Sequence, residues 1–153
     1  MRILICGSTE YEDYNFLETT CTNIISKIQY DNIIPNNKLE IISGNANRGA
    51  DRLGEKFARK YNVSLKLFPA EWNNMDVPVV SEGTNYYGKY NKLAGVQRNT
   101  KMVDYVSEDN GIVIAFRVDE SKGTSDTIKK AKKAGLKVYQ IDYDKEKKIK
   151  IWN

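Results

Sequence analysis

Short apolar runs alternate with helical patterns along this chain, and this alternation constrains the fold more than any other feature of the sequence. The runs that we interpret as strands cover residues 1–6, 39–42, 63–68, 111–116 and 136–141. Between them, apolar residues recur at helical spacing over about 14–29, 50–61, 94–106 and 124–134. Strands and helices in alternation form a mostly parallel sheet with helices on both faces. We therefore predict an α/β fold with a sheet of five to six strands.

The length and the composition favour a single domain over residues 1–153. The chain has 41% hydrophobic residues, which is enough for one core of ordinary size, and no break in composition marks a second domain. Residues 73–93 have no sustained periodicity and contain several asparagines, glycines and tyrosines, so we predict a long loop there. Residues 147–152 are a candidate for a short sixth strand at an edge of the sheet.

The chain contains no histidine and two cysteines, Cys6 and Cys21. Without imidazole it cannot use a Ser-His-Asp or Cys-His nucleophile, and two separated cysteines cannot complete a four-thiolate zinc site. Cys6 falls in a predicted strand and Cys21 on the apolar face of a predicted helix, so we expect buried free thiols in a reducing compartment. We expect no cofactor and no bound metal.

We expect a cytoplasmic protein without a membrane partner, because no apolar run approaches the length that crosses a bilayer and the first residues do not form a secretory leader. The formal net charge is +4, and its excess lies mostly on Lys129, Lys130, Lys132 and Lys133 of one predicted helix. A solvated helix face explains these lysines, so we do not expect a nucleic-acid partner.

Polar loops that contain glycine or bulky polar residues follow four of the predicted strands. In an open α/β sheet, ligands bind outside the carboxyl ends of the strands. The loops hold Gly7 and Ser8 after the first strand, residues 43–51 after the second, Glu71 and Trp72 after the third, and residues 121–126 after the fourth. We predict that these loops converge on one pocket.

The second loop is the most specific of the four. Gly44 and Gly49 bracket polar residues at a helix start, where backbone N–H groups favour a phosphate or a carboxylate. Arg48 is a candidate for clamping a phosphate, and Asp51 for accepting ribose hydroxyl groups. The alternative is an acidic residue that only complements the helix dipole, next to a surface arginine.

The fourth loop resembles a second phosphate cradle but lacks the spacing of a Walker A loop. Gly123 permits close approach of the backbone, and Thr124 offers a hydroxyl and an N–H group. Arg98, on the third helix, is expected to meet a phosphate or to pair with Asp126 across the site. A surface salt bridge of Arg98 is the alternative, as is a merely dipole-complementing Asp126.

Taken in order, short motifs at these strand ends resemble the YspA-like branch of the SLOG superfamily. The motifs are Cys6-Gly7-Ser8, Ser43-Gly44, Arg48-Gly49-Ala50-Asp51, Ala70-Glu71-Trp72, Ala94-Gly95, Arg98-Asn99 with Met102, Ala115-Phe116, and Gly123-Thr124 with Asp126. The resemblance spans residues 2–141 and implies a Rossmann-like three-layer αβα fold that binds a nucleotide or a nucleotide-derived molecule. It also suggests a homo-oligomer, a dimer or a tetramer, from a bacterium or an infected bacterial host.

The same superfamily includes the Lonely guy phosphoribohydrolases, which cleave the N-glycosidic bond of nucleoside monophosphates. Arg98 with Met102 resembles their Arg-Lys-x-x-Met segment, and residues 123–126 resemble their Gly-Gly-x-Gly-Thr-x-Glu loop. Asn99 stands in place of the Lys, Asp126 stands in place of the Glu, and the paired glycines are absent. These departures count against hydrolysis and leave phosphate and ribose binding intact.

Three functions follow as hypotheses. The first is binding of a signalling nucleotide of the cyclic-nucleotide or ADP-ribose type, for sensing or sequestration in anti-phage defence or counter-defence. The second is metal-independent cleavage of an N-glycosidic or related bond, with Arg98, Asp126 and Glu71 as catalytic residues. The third is nucleic-acid binding like that of the SLOG-related DNA-processing protein DprA.

The residues that we predict to bind the ligand come from all four loops and the third helix. They are Gly7, Ser8, Ser43, Gly44, Asn45, Ala46, Arg48, Asp51, Trp72, Arg98, Asn99, Ser121, Lys122, Gly123, Thr124 and Asp126. Tyr86, Tyr87 and Tyr90 in the long loop are candidates for stacking on a base or for packing across a dimer interface. Folding of that loop against its own domain is the alternative.

Overall fold

A computed structural model describes residues 1–144, 146 and 149–152, and within them the chain forms eight strands and four α-helices. The strands are β1 (Arg2–Gly7), β2 (Glu40–Ser43), β3 (Ser64–Leu67), β4 (Glu82–Asn85), β5 (Gly88–Asn91), β6 (Ile112–Val118), β7 (Lys137–Tyr143) and β8 (Ile149–Trp152). The helices are α1 (Tyr14–Asn32), α2 (Ala50–Lys60), α3 (Ala94–Ser107) and α4 (Lys122–Lys133).

Six strands form one sheet in the order β3-β2-β1-β6-β7-β8. The first five are parallel to their neighbours, whereas β8 is antiparallel to β7. The chain first moves outward from β1 to β3 and then returns to β6 on the other side of β1, so the strand order reverses between β1 and β6. This is the Rossmann-like order, and it confirms the predicted α/β fold with a mostly parallel sheet.

The sheet separates two apolar cores, because successive side chains of a strand point to opposite faces. Ile3 and Ile5 of β1 belong to the core under α1 and α2, while Leu4 and Cys6 belong to the core under α3 and α4. Both cysteines are buried free thiols, as predicted, and burial raises the pKa of each. Each fully buried aliphatic side chain of these cores contributes roughly 1.5–3 kcal/mol through the area it removes from water.

The predicted long loop is partly wrong, because residues 82–91 form the antiparallel hairpin β4–β5. The hairpin carries few apolar residues, so it left no alternating pattern in the sequence. Tyr86 and Tyr87 lie at its tip and are 95% and 91% exposed, whereas the ring of Tyr90 contacts Trp72 edge-on. Only Tyr90 therefore packs against its own domain.

The elements around the fourth loop are longer than predicted. β6 extends to Val118, beyond the predicted strand end at residue 116, and α4 begins at Lys122, before the predicted helix start at residue 124. The predicted sixth strand is present as β8, although residues 147 and 148 lie outside the described residues. None of the helices in the described part of the chain combines the length and the apolar character required to span a bilayer.

Buried Asn91 anchors the hairpin to α3, and its removal is expected to destabilise the protein. Asn91 Oδ1 accepts from the amides of Ser81 (3.2 Å) and Leu93 (3.0 Å), and its Nδ2 donates to Gln97 Oε1 (2.9 Å). Asn91→Ala leaves these groups without partners, so the free energy of unfolding in urea should fall by about 1–3 kcal/mol. Asn85→Ala, which removes one hydrogen bond at the exposed hairpin tip, should cost less. Equal losses would show that Asn91 is not the anchor.

Candidate ligand-binding site

A cavity of about 190 Å³ lies at the carboxyl ends of β1 and β6, where the strand order reverses. We call it the switch-point cavity. It draws its walls from the β1 and β2 loops, from α3 and from the start of α4. Its lining residues are Cys6, Gly7, Ser8, Thr9, Ala46, Asp51, Arg98, Asn99, Met102, Ser121, Gly123, Thr124 and Thr127.

The loop after β1 is locked to the start of α4 by hydroxyl groups. Ser8 Oγ accepts from the Val118 amide (2.8 Å) and lies 2.6 Å from Ser121 Oγ, which in turn donates to Thr124 Oγ1 (3.0 Å). Since the Ser121 proton goes to Thr124, the proton between the two serines comes from Ser8. The Thr124 hydroxyl proton then remains for an acceptor other than Ser121, at the wall of the cavity.

The residues of the predicted phosphate cradle lie in the first turn of α4, a helix start and not a loop. Backbone N–H groups in a first helical turn have no intrahelical acceptor, so they favour an anion. A Cβ added at Gly123 would meet no heavy atom within 4 Å, so the backbone there is open toward the cavity. Lys122 itself is exposed and does not line the cavity.

The loop after β2 is held from behind by the fully buried carboxylate of Glu55. Glu55 Oε1 accepts from Ser43 Oγ (2.9 Å) and Asn45 Nδ2 (3.0 Å), and Oε2 lies 3.2 Å from Arg52 Nη1 and 3.7 Å from Arg59 Nη1. Sequence reasoning did not identify Glu55. The signal was present, because Glu55 follows Asp51 by four residues and so shares its face of α2.

Asp51 presents a buried carboxyl group to the switch-point cavity. Its Oδ2 accepts from the Ala46 amide (3.2 Å). Burial raises the pKa of Asp51 to about 6, against the opposing effects of this hydrogen bond and of Arg98. A Cβ at Gly44 would lie 2.8 Å from Asp51 Oδ2 and 2.7 Å from Arg98 Nη1, so only glycine lets the carboxylate and the guanidinium flank the same backbone.

The predicted pairing of Arg98 with Asp126 is wrong. Arg98 donates through Nε to Asn99 Oδ1 (3.0 Å) and through Nη1 to the carbonyl oxygens of Gly44 and Phe68. Asn99 Nδ2 donates to Asp126 Oδ2 (3.1 Å), and Lys130, one turn further along α4, pairs with the same oxygen at 2.8 Å. The nearer partners Asn99 and Lys130 thus occupy the carboxylate that Arg98 was expected to reach.

The structure brings nine of the predicted ligand-binding residues to the cavity wall: Gly7, Ser8, Ala46, Asp51, Arg98, Asn99, Ser121, Gly123 and Thr124. Ser43, Gly44 and Asn45 support the wall from behind. Arg48, Trp72, Lys122 and Asp126 do not line it, and Glu71 lines a different cavity. The described residues contain no group of three or more acidic or thiol side chains arranged to hold a metal ion.

Comparison with known proteins gives the family. The family model described as YspA, cpYpsA-related SLOG family matches residues 1–75, which include β1, β2, α2 and β3. This match covers just under half of the chain and supports the SLOG superfamily, YspA-like branch. The gene 61 protein of Mycobacterium phage D29 is 28% identical over 142 residues, which cover 90% of this chain and 93% of the phage protein. No solved structure gives a significant match.

Membership of the SLOG superfamily suggests nucleotide-related binding or processing, without specifying a ligand. The matched residues contribute Gly7, Ser8, Ala46 and Asp51 to the cavity. The motifs on α3 and α4 that resemble SLOG proteins lie beyond the matched range, so this match does not bear on Arg98 or Thr124.

The pKa of Asp51 predicts how the stability of this protein changes with pH. The carboxyl titrates near 3.8 when unperturbed and near 6 in the folded chain, so the native state binds the proton more tightly. Its contribution to stability is therefore greatest below pH 4, falls as pH rises from about 4 to 6, and stays low above that. Relative to Asp51→Asn, the wild type should lose about 3 kcal/mol between pH 3 and pH 7.

Urea unfolding of both proteins across this pH range measures the difference. Asp76→Asn is the matched control, because Asp76 is exposed and should leave the pH profile of the wild type unchanged. Parallel profiles of the wild type and the Asp51 variant would contradict the assignment.

Proposed function

We propose that this protein binds a nucleotide or a nucleotide-derived signalling molecule, of the cyclic-nucleotide or ADP-ribose type, in the switch-point cavity. The observation that carries the proposal is that the wall of this cavity combines groups that suit an anion with a carboxylate that suits hydroxyl groups. The start of α4, the Thr124 hydroxyl and the Arg98 guanidinium suit an anion, while the buried Asp51 carboxylate suits the hydroxyl groups of a ribose.

Arg98 is the central phosphate contact in this proposal. Its guanidinium is oriented by Asn99 Oδ1 and by two carbonyl oxygens, so it loses little rotational freedom when an anion binds. All three of these partners are neutral oxygens and not carboxylates, so the nearby Asp51 only partly balances the positive charge of Arg98. A phosphate bound at the start of α4 supplies the further negative charge that neutralises Arg98.

Binding without cleavage fits the position of the carboxylates. Asp126 is engaged by Asn99 and Lys130 outside the cavity, and Glu71 lies 3.7 Å from Lys101 at a different cavity. These were the two carboxylates expected to act in hydrolysis. A protein that holds a signal without turning it over lowers the free concentration of that signal, and this is the basis of the proposed sequestering role.

A second candidate function is cleavage of the N-glycosidic bond with Asp51 as the acid. One observation favours it: a carboxyl with a pKa of about 6 lies on the side of the cavity assigned to the ribose. Chromatography of ADP-ribose and nucleoside monophosphates after long incubation at high protein concentration separates the two candidates. Recovery of unchanged ligand excludes cleavage for those compounds.

Titration calorimetry against cyclic dinucleotides, ADP-ribose and nucleoside monophosphates tests binding, with Arg98→Gln as the diagnostic variant. Loss of a charged hydrogen-bond donor to phosphate should weaken binding by about 10- to 100-fold. Arg48→Gln is the matched control, since Arg48 is exposed and outside the cavity, and it should change affinity much less. A wild type that binds no member of the panel overturns the proposed function.

The predicted homo-oligomer stays a prediction. Native mass spectrometry of the purified protein measures the number of subunits and any ligand that copurifies.

A further inference from the structure

We propose that the nucleobase of the ligand occupies a second cavity on the far side of Arg98, and that Glu71 and Lys101 recognise an amino-bearing base at its rim. This inference rests on the proposed function, because it divides one ligand between two compartments. The second cavity, which we call the α3 cavity, has a volume of about 410 Å³ and lies between α3, the end of β3 and residues 69–79.

Size is the first argument. Ligand pockets of folded proteins are usually about 300–1,000 Å³. The switch-point cavity, at about 190 Å³, is smaller than this range, whereas the α3 cavity lies within it. A ligand with its phosphate and ribose in the first cavity must therefore place its base elsewhere.

Continuity is the second argument. Among the residues that the structure describes, Arg98 alone lines both cavities. Its Nη1 donates to the carbonyl of Gly44, beside Asp51, and lies 3.5 Å from the carbonyl of Phe68 in the wall of the α3 cavity. Arg98 thus borders both spaces, and a ligand that contacts it with its phosphate and ribose has the α3 cavity as its neighbour.

The chemistry of the walls is the third argument. Phe68, Pro69, Val77 and Val79 give the α3 cavity apolar sides that suit the faces of an aromatic base. At its rim, Glu71 Oε2 lies 3.7 Å from Lys101 Nζ. This pair offers one acceptor beside one donor, which complements the edge of adenine, guanine or cytosine, where an amino group adjoins a ring nitrogen or carbonyl. The Glu71 carboxylate disfavours a phosphate at the same place.

Filling the α3 cavity tests the placement of the base. Val79 lines it and is 63% exposed, so Val79→Trp adds bulk without disturbing the core. The wild type should bind adenosine monophosphate more tightly than ribose 5-phosphate. Val79→Trp should weaken binding of the nucleotide about tenfold and leave the affinity for ribose 5-phosphate unchanged. Ile33→Trp, at a distant position that is 89% exposed, is the matched control.

The outcomes separate the two proposals. Absence of binding of either compound by the wild type overturns the proposed function and this inference together. Nucleotide binding that Val79→Trp leaves unchanged, or that falls equally for ribose 5-phosphate, overturns the inference and leaves the proposed function standing.

Glu71→Gln tests recognition of the amino group. Adenosine monophosphate carries an amino group on its base where inosine monophosphate carries an oxo group. The wild type should prefer the adenosine compound, and Glu71→Gln should reduce that preference by about 3- to 10-fold, because the charged acceptor is lost. Glu12→Gln, at an exposed carboxylate outside the α3 cavity, is the control. An unchanged preference overturns the role of Glu71.

Discussion

Ser8 is the residue on which the rest of the site depends, because it joins four elements that are far apart in the chain. Its amide donates to the Phe116 carbonyl (2.9 Å), and its own carbonyl accepts from the amides of Tyr11 (3.1 Å) and Ala50 (3.2 Å). Its hydroxyl connects the end of β6 to Ser121. The starts of α2 and α4 are therefore held at fixed positions around one small residue, which creates the cavity between them.

Other backbone segments pack closely around Ser8, and this packing requires glycine at two positions, Gly7 and Gly49. A Cβ at Gly7 would lie 2.2 Å from the Phe116 carbonyl oxygen, and one at Gly49 would lie 2.4 Å from the Ser8 carbonyl oxygen. Gly49 also has a φ of 80°, a conformation that other residues rarely adopt. The glycines that look like a ligand-binding signature in the sequence are thus required by packing as well, and the polar side chains around them carry the information about ligand.

Apolar periodicity was sufficient to predict the order of the four α-helices and of the strands in the main sheet, and three of the four loops meet at the cavity as predicted. Burial of one face is a property of each element alone, whereas the hairpin β4–β5 buries little and was missed. The partners of the polar side chains were not predictable in this way. Arg98 could have reached Asp126, yet Asn99 on its own helix and Lys130 on α4 are nearer. Glu55 was missed because a carboxylate in a polar helix is normally solvated, and only the tertiary fold buries this one under Ser43 and Asn45.

The division of the site by Arg98 also bears on whether a nucleotide bound there is held or cleaved. With ribose in the switch-point cavity and base in the α3 cavity, the N-glycosidic bond lies close to the guanidinium. Cleavage develops positive charge on the ribose, which Arg98 destabilises and an ionised Asp51 stabilises. The negative charge of Asp51 appears only above its raised pKa of about 6. The guanidinium therefore opposes charge development on the ribose, and below that pH the neutral Asp51 can assist cleavage only as a proton donor to the departing base, which is its role in the second candidate function.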